Sequence, residues 1–182
     1  MSTKVTVIVP NYNKSIYLEQ CIKSVAMQTY RPLEILVVDD ASKDSSIELL
    51  THLQKEYSFL KIVALKRNGG VSHARNVGIA AADGDIITFL DSDDYYINHK
   101  KIENEVKALE KSDIPAFSYS KTVLVDTEGN RINKKTSSND RYLTGDILKD
   151  LLKCKCLDIV PRDYCIYKNQ IENFQFYLNS LL

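Results

Sequence analysis

The sequence predicts an α/β fold with a mostly parallel sheet flanked by helices, followed by a small mixed α+β C-terminal part. Up to about residue 112 of 182, short apolar runs alternate four times with segments whose apolar residues recur at helical spacing. A polar cluster follows each of these four runs. Because parallel sheets bind ligands at the carboxyl ends of their strands, these clusters are the candidate site.

The first two strand–helix units follow from β-branched runs and helical spacing. Val5–Val9 ends at Pro10 and predicts a buried strand. The next segment is predicted to be a helix with the apolar residues Leu18, Cys21, Ile22 and Val25. Leu33–Val38 predicts the second strand. Ser45–Glu48 matches a capping box, which predicts a helix start before the apolar face of Leu49, Leu50 and Leu53.

The third and fourth units have the same pattern. Leu60–Leu65 predicts a strand that Asn68–Gly70 interrupts. A helix of small residues is predicted next, with Val71, Ala74, Gly78 and Ala81. Ile86–Leu90 predicts the fourth strand, ending at Asp91. The helix after it is predicted from Ile102, Val106 and Leu109.

The pattern changes after about residue 112. Alternating residues from Phe117 to Val125, followed by the turn residues 126–130, predict a hairpin. Residues 133–140 are polar and predict a loop, and the apolar residues of 147–152 predict a short helix. Tyr164–Tyr167 predicts a last strand.

Composition narrows the range of functions that the protein could have. Lysine plus arginine equals aspartate plus glutamate, at 24 each, so the net charge favours no nucleic-acid partner. No apolar run approaches the roughly 20 residues that span a bilayer, and no signal-like segment begins the chain, which predicts a cytoplasmic protein. The four cysteines lack zinc-site spacing and are expected to be free thiols.

The acidic cluster Asp91–Asp94 predicts a cation site. Carboxylates side by side at a strand end repel one another unless a cation lies among them. Mg²⁺ typically joins one or two carboxylates to a substrate phosphate. The alternative interpretation is an acidic surface turn.

The other clusters suggest nucleotide binding. Gly69–Gly70 allows close approach of a ligand, and the helix after it offers N–H groups to an anion such as a diphosphate, which Arg75 could also reach. Tyr12 could stack on a base, and Asp39 or Asp40 could accept a pyrimidine N–H or a ribose hydroxyl. Each of these features has an alternative interpretation. Gly69–Gly70 could form a tight turn, and Arg75 could lie on a solvated helix face. Tyr12 could pack on the first helix, and Asp39 or Asp40 could cap a turn. The motifs of dinucleotide-binding, P-loop and α/β-hydrolase proteins are absent.

Four segments in order carry a resemblance to a known family: residues 5–13, 37–44, 68–78 and 89–94. They resemble the family 2 glycosyltransferases, inverting enzymes with the Rossmann-like GT-A fold, over residues 3 to about 112. The resemblance implies that 1–112 is the half that binds a nucleotide-sugar donor and that 113–182 is a partial acceptor-side region of the same domain. It implies hexosyl transfer from a UDP-sugar to a saccharide or glycolipid acceptor, in cell-surface polysaccharide synthesis.

The resemblance also assigns site residues. Asp91 and Asp93 are implied to hold Mn²⁺ or Mg²⁺, Arg75 to lie near the diphosphate, and Tyr12 with Asp40 or Asp39 to hold the uracil. The implied donor site comprises Pro10, Tyr12, Asn13, Asp39, Asp40, Asn68, Gly69, Arg75, Asp91, Ser92 and Asp93.

No catalytic base is identified in the sequence. The family usually takes its base from an acidic pair, often Glu-Asp, beyond the strand that corresponds to Tyr164–Tyr167. Here Glu172 is the only late acid, and it lies too close to that strand, so the base is expected beyond Leu182 in a C-terminally truncated chain. The apolar tail 174–182 predicts self-association. The sequence is compatible with peripheral contact between the protein and a membrane.

Three other functions are weighed against the transferase. A nucleotide-sugar-binding fragment without catalysis is the nearest, because the base is missing. A signalling receiver is the distant alternative, since Ile35–Asp40 resembles the opening of that domain, but residues 3–28 would then have no place. Sugar nucleotidyltransferases share the architecture, but they would be expected to carry glycine and arginine between Pro10 and Ser15.

Overall fold

The computed structural model describes residues 3–113, 116–126, 128–132 and 164–174. Its strands are β1 (Val5–Asn11), β2 (Leu33–Asp39), β3 (Leu60–Ala64), β4 (Ile86–Phe89), β5 (Phe117–Tyr119) and β6 (Tyr164–Tyr167). Its helices are α1 (Ser15–Ala26), α2 (Ser46–Glu56), α3 (Val71–Ala81), α4 (Lys101–Leu109) and α5 (Lys168–Phe174). The predicted order of strands and helices over the first half is confirmed.

The six strands form one sheet in the order β3-β2-β1-β4-β6-β5. β3, β2, β1 and β4 are parallel neighbours, whereas β6 runs antiparallel to β4. β2 and β3 lie on one side of β1, whereas β4, the next strand in the chain, lies on its other side. Such a switch point creates a crevice at the carboxyl ends of the strands. The predicted mostly parallel sheet is therefore confirmed.

Helices cover both faces of the sheet. On one face, apolar residues of α1, α2 and α4 form the larger core with β1 and β2. On the other face, α3 packs closely on Ile8 of β1 and Val38 of β2. A Cβ at Gly78 would collide with the Ile8 side chain, which explains why α3 is built from small residues.

The chain divides into two compact units, Met1–Ser118 with Asp163–Leu182, and Tyr119–Arg162. The predicted hairpin is confirmed only in part: in the second unit its described residues form one isolated antiparallel bridge, between Val125 and Arg131. The loop predicted at 133–140, the helix at 147–152 and the tail at 175–182 lie outside the described residues. No helix in the described ranges is long and apolar enough to cross a membrane. Cys21 and Cys165 are buried free thiols, as predicted, whereas Cys154 and Cys156 are not described.

The capping box predicted at Ser45–Glu48 is wrong. The side chain of Ser45 makes no capping hydrogen bond. Instead, Asp44 accepts hydrogen bonds from the backbone N–H and hydroxyl of Ser46 at the start of α2, and from the backbone N–H of Ser15 at the start of α1. One carboxylate therefore satisfies orphan N–H groups of two helices.

These bonds make Asp44 a pH-dependent contributor to stability. Slight burial raises the pKa of Asp44, but the bonds from Ser46 and Ser15 outweigh it and lower the pKa from 3.8 to about 2. We expect Asp44→Ala to lower the free energy of unfolding by about 1 kcal/mol at neutral pH. Because the pKa of Asp44 is lower in the folded state, this contribution to stability is complete above pH 3.8. It disappears as the pH falls through about 2.

Urea unfolding of wild type and Asp44→Ala at neutral and acidic pH measures this difference. Ser45→Ala is the matched control and is expected to change the free energy of unfolding by less than about 0.5 kcal/mol. An equal loss in both variants would restore the capping box.

Candidate functional site

The carboxyl ends of β1, β2 and β4 lie side by side. The register places Asn11 of β1 opposite Asp39 of β2, and Ile8 of β1 opposite Phe89 of β4. Hydrogen bonds and ion pairs then link the predicted clusters across 16 to 79 residues of sequence. The four predicted clusters therefore belong to one edge of the sheet.

Asp39 organises the loop after β1. Its carboxylate is 1% exposed and accepts hydrogen bonds from Asn11 Nδ2 at 2.8 Å and from the backbone N–H and hydroxyl of Ser42 at 2.9 and 2.6 Å. The Ser42 hydroxyl in turn accepts the backbone N–H of Asn13. Asp39 thus has the turn-capping role that the sequence left open, and it fixes the loop that carries Tyr12.

Tyr12 and its neighbours stand at the tip of this loop. Pro10 is buried in β1, whereas Tyr12 is 41% exposed. Asn13 has a φ of 52°, a left-handed conformation that asparagine tolerates, and its Oδ1 accepts the backbone N–H of Lys43 at 2.7 Å. An exposed aromatic ring on a tied-down loop is suited to stacking on a planar ligand.

Asp40 holds the glycine turn before α3. Its side chain is buried, with Oδ1 accepting the Gly69 N–H at 2.8 Å and Oδ2 accepting the Gly70 N–H at 2.7 Å. Gly70 has a φ of 85°, which strains any residue with a Cβ. Asn68 is exposed beside this turn. The two glycine amides therefore bind a carboxylate of the chain itself, and each oxygen of Asp40 keeps a further lone pair for a ligand.

Arg75 is paired with the first aspartate of the D-x-D. Its Nη2 donates to Asp91 Oδ1 at 2.6 Å, and the guanidinium lies over the Phe89 ring at 5.5 Å. Both side chains are about one-quarter exposed. Arg75 Nε is buried and has no hydrogen-bond partner among the described residues. The sequence predicted Arg75 at this site, but not that Asp91 orients it.

Lys14 is paired with the second aspartate. Its Nζ lies 2.8 Å from Asp93 Oδ2, and the hydrogen bond and charge of Asp93 raise the pKa of Lys14. Ser92, between the two aspartates, is buried. The repulsion expected within the acidic cluster is therefore offset by two side-chain cations. Lys14 was missed, although a lysine in the polar run after β1 was a usable signal.

The D-x-D offers a divalent ion two carboxylates, so tight binding of the ion requires further oxygen ligands from a bound molecule. The described residues contain no group of three or more histidine, cysteine, aspartate or glutamate side chains able to hold a metal. Asp91 and Asp93 each give one oxygen to a cationic side chain and have a second oxygen of the kind that hard ions prefer. This matches the mode in which one or two carboxylates and a phosphate share Mg²⁺.

A family model decides the classification. The model of Glycosyl transferase family 2 matches residues 6–161. The chain belongs to this family. The resemblance carried by the four segments is thus confirmed, and the receiver alternative is excluded.

Two of the relatives of this family 2 glycosyltransferase are bacterial proteins. An uncharacterized glycosyltransferase of Haemophilus influenzae is 36% identical over 141 residues, covering 77% of this chain and 56% of its own length. A Bacillus subtilis protein provisionally named a teichuronic acid biosynthesis glycosyltransferase, TuaG, is 30% identical over 156 residues, covering 86% of this chain and 61% of its own. The chain thus spans less than two thirds of either relative.

Solved structures show the same fold. Staphylococcus aureus TarS residues 1–349 in complex with UDP superposes with a TM-score of 0.72 and 24% identity, covering 96% of this chain and 49% of that one. The mannosyltransferase PcManGT of Pyrobaculum calidifontis, solved with GDP-mannose and Mn²⁺, gives a TM-score of 0.73 at 19% identity, covering all of this chain and 49% of the other. The predicted GT-A fold is confirmed.

Proposed function

We propose that this chain carries the donor site of a hexosyltransferase that transfers sugar from a UDP-sugar to a saccharide or glycolipid acceptor in cell-surface polysaccharide synthesis. The observation that carries the proposal is the D-x-D at the end of β4, linked to Arg75 and Lys14 at one edge of a GT-A sheet. Residues 1–112 form the donor-binding half in this proposal and 113–182 a partial acceptor-side region, which the groove beside Tyr95 complements. The protein works in the cytoplasm.

The nucleoside binds between the ends of β1 and β2. Tyr12 stacks on uracil, while Asp39 and Asp40 use their remaining lone pairs for a ring N–H and a ribose hydroxyl. The backbone near Gly69 lies along the nucleotide. Of the other donor-site residues, Pro10, Asn13 and Asn68 belong to or border these loops, and Ser92 lies between the two aspartates after β4. The internal hydrogen bonds of Asp39 and Asp40 support the proposal because they hold these carboxylates in place before a ligand arrives.

Asp91 and Asp93 hold Mn²⁺ or Mg²⁺ together with the diphosphate in this proposal. When bound, the ion offsets the negative charge that grows on the departing nucleoside diphosphate. Arg75 contributes a second positive charge beside Asp91. Its planar guanidinium suits bidentate contact with phosphate oxygens.

The acceptor is proposed to lie beyond the D-x-D. An open groove of about 550 Å³ adjoins the segment after Asp94 and is lined by Tyr95, Ile97 and Gln20, among others. Aromatic rings beside amide and hydroxyl groups offer both stacking and hydrogen bonds, as a saccharide requires. This supports a sugar-containing acceptor.

The general base completes the mechanism. A carboxylate must take the proton from the acceptor hydroxyl as that oxygen attacks the anomeric carbon. Among the candidates, Asp94 is exposed beside the D-x-D, whereas Asp158 and Asp163 lie outside the described residues, as does the side chain of Glu172. None of the carboxylates in the described residues is assigned as the base. A nucleotide-sugar-binding fragment without catalysis is the second candidate function, favoured because no base is identified among the described residues.

The decisive experiment is calorimetric titration of UDP in the presence of Mn²⁺ and in EDTA. We expect UDP to bind at least about tenfold more tightly with Mn²⁺, because Asp91 and Asp93 would hold the ion and its charge would attract the diphosphate. Titration of CDP, which has the same ribose and diphosphate, is the control for recognition of the uracil ring. Equal UDP affinity in both conditions would remove the metal from the proposal, and absence of binding would remove the donor site.

A further inference from the structure

We propose that Lys14 competes with the divalent ion for Asp93 and, once displaced, binds the diphosphate. Metal and nucleotide would then bind cooperatively, each favouring the other. This inference rests on the proposed donor site, but its test separates the two.

The contact itself is well defined. Lys14 precedes the first residue of α1, and its Nζ reaches Asp93 across 79 residues of sequence to make a 2.8 Å bond with Oδ2. The same ammonium lies 5.7 Å from the centre of the Tyr17 ring. A carboxylate oxygen that accepts an ammonium proton is not fully available to a metal ion. Binding of the ion at Asp93 therefore weakens or breaks the bond to Lys14.

The pair is weak enough to be displaced. The side chains of Lys14 and Asp93 are 42% and 43% exposed, and ion pairs of such exposure contribute little to stability. The second pair, Arg75 with Asp91, is more enclosed, at 24% and 27%, and also packs on Phe89. Of the two cations, Lys14 is thus the one that a metal ion releases more readily.

Release of Lys14 couples the two ligands. A displaced ammonium loses its carboxylate partner but stays anchored at the start of α1, beside the D-x-D. A diphosphate bound there supplies new anionic oxygens for the three donors of the lysine. Because linkage is reciprocal, a nucleotide that binds Lys14 frees Asp93 for the metal by the same factor.

The test measures Mn²⁺ binding by the loss of the free-ion signal in electron paramagnetic resonance, without UDP and with saturating UDP. We expect Lys14→Met to tighten Mn²⁺ binding without UDP by about two- to fivefold, the range of exposed ion pairs. The same variant should weaken UDP binding in EDTA, so that the gain in Mn²⁺ affinity caused by UDP becomes smaller than in wild type. Methionine keeps the apolar stem but not the charge.

Lys107→Met is the matched control. It removes a lysine from another exposed ion pair, with Glu103 on α4, and should leave both affinities unchanged. Wild-type Mn²⁺ and UDP affinities in Lys14→Met would overturn the role of Lys14 and leave the donor site standing. Absence of Mn²⁺ and UDP binding in the wild type would overturn both.

Discussion

Replacement of Asp93 by alanine is expected to abolish the Mn²⁺-dependent part of UDP binding. Asp93 is one of only two side chains proposed to hold the ion, and loss of a partner one step further from a metal already costs about 10- to 100-fold in affinity. Binding of UDP in EDTA should persist, because the substitution also frees Lys14 for the diphosphate. Calorimetric titration with Mn²⁺ and with EDTA measures both effects.

Thermal unfolding accompanies that titration. Asp93 lies on an exposed turn, where substitutions usually change the free energy of unfolding by less than about 0.5 kcal/mol. Asp83→Ala is the matched control, since Asp83 is also an exposed aspartate paired with a lysine, Lys61. A large drop in the unfolding temperature of Asp93→Ala would identify Asp93 as a structural residue and contradict the metal site.

The fold could be predicted because its signals are local. β-branched runs such as Val5–Val9 have few alternatives to a buried strand, and their alternation with helical patterns implies a parallel sheet. The pairing of β6 with β4 could not be predicted in the same way. Tyr164–Tyr167 indicated a strand, but an antiparallel partner 75 or more residues away leaves no local signal.

The site could be predicted as a set of residue types, not as a set of contacts. The position of Asp91 and Asp93 after an apolar strand indicated the carboxylate cluster. Their pairing with Arg75 and Lys14 depends on how three separate β–α connections meet at the sheet edge. The failed capping box has the same cause, because Asp44 satisfies α1 and α2 together only once both helices are in place.

Asp40 combines an observed structural role with a proposed binding role. Its two oxygens accept the N–H groups of Gly69 and Gly70, and the resemblance to family 2 also assigned it to the nucleoside. Removal of the carboxylate leaves two amides of the glycine turn without their charged acceptor. A residue that acts only on the ligand would leave the turn intact.

We therefore expect Asp40→Ala to lower the free energy of unfolding by about 3 kcal/mol, since each hydrogen bond to a charged group contributes about 1.5–3 kcal/mol and the two share one carboxylate. Urea unfolding measures the loss, and hydrogen exchange at Gly69 and Gly70 should accelerate. Asp40→Asn keeps one acceptor oxygen, so its free energy of unfolding should lie between those of Asp40→Ala and wild type. Wild-type stability with loss of UDP binding would assign Asp40 to the ligand alone, because only the nucleotide would then depend on its carboxylate.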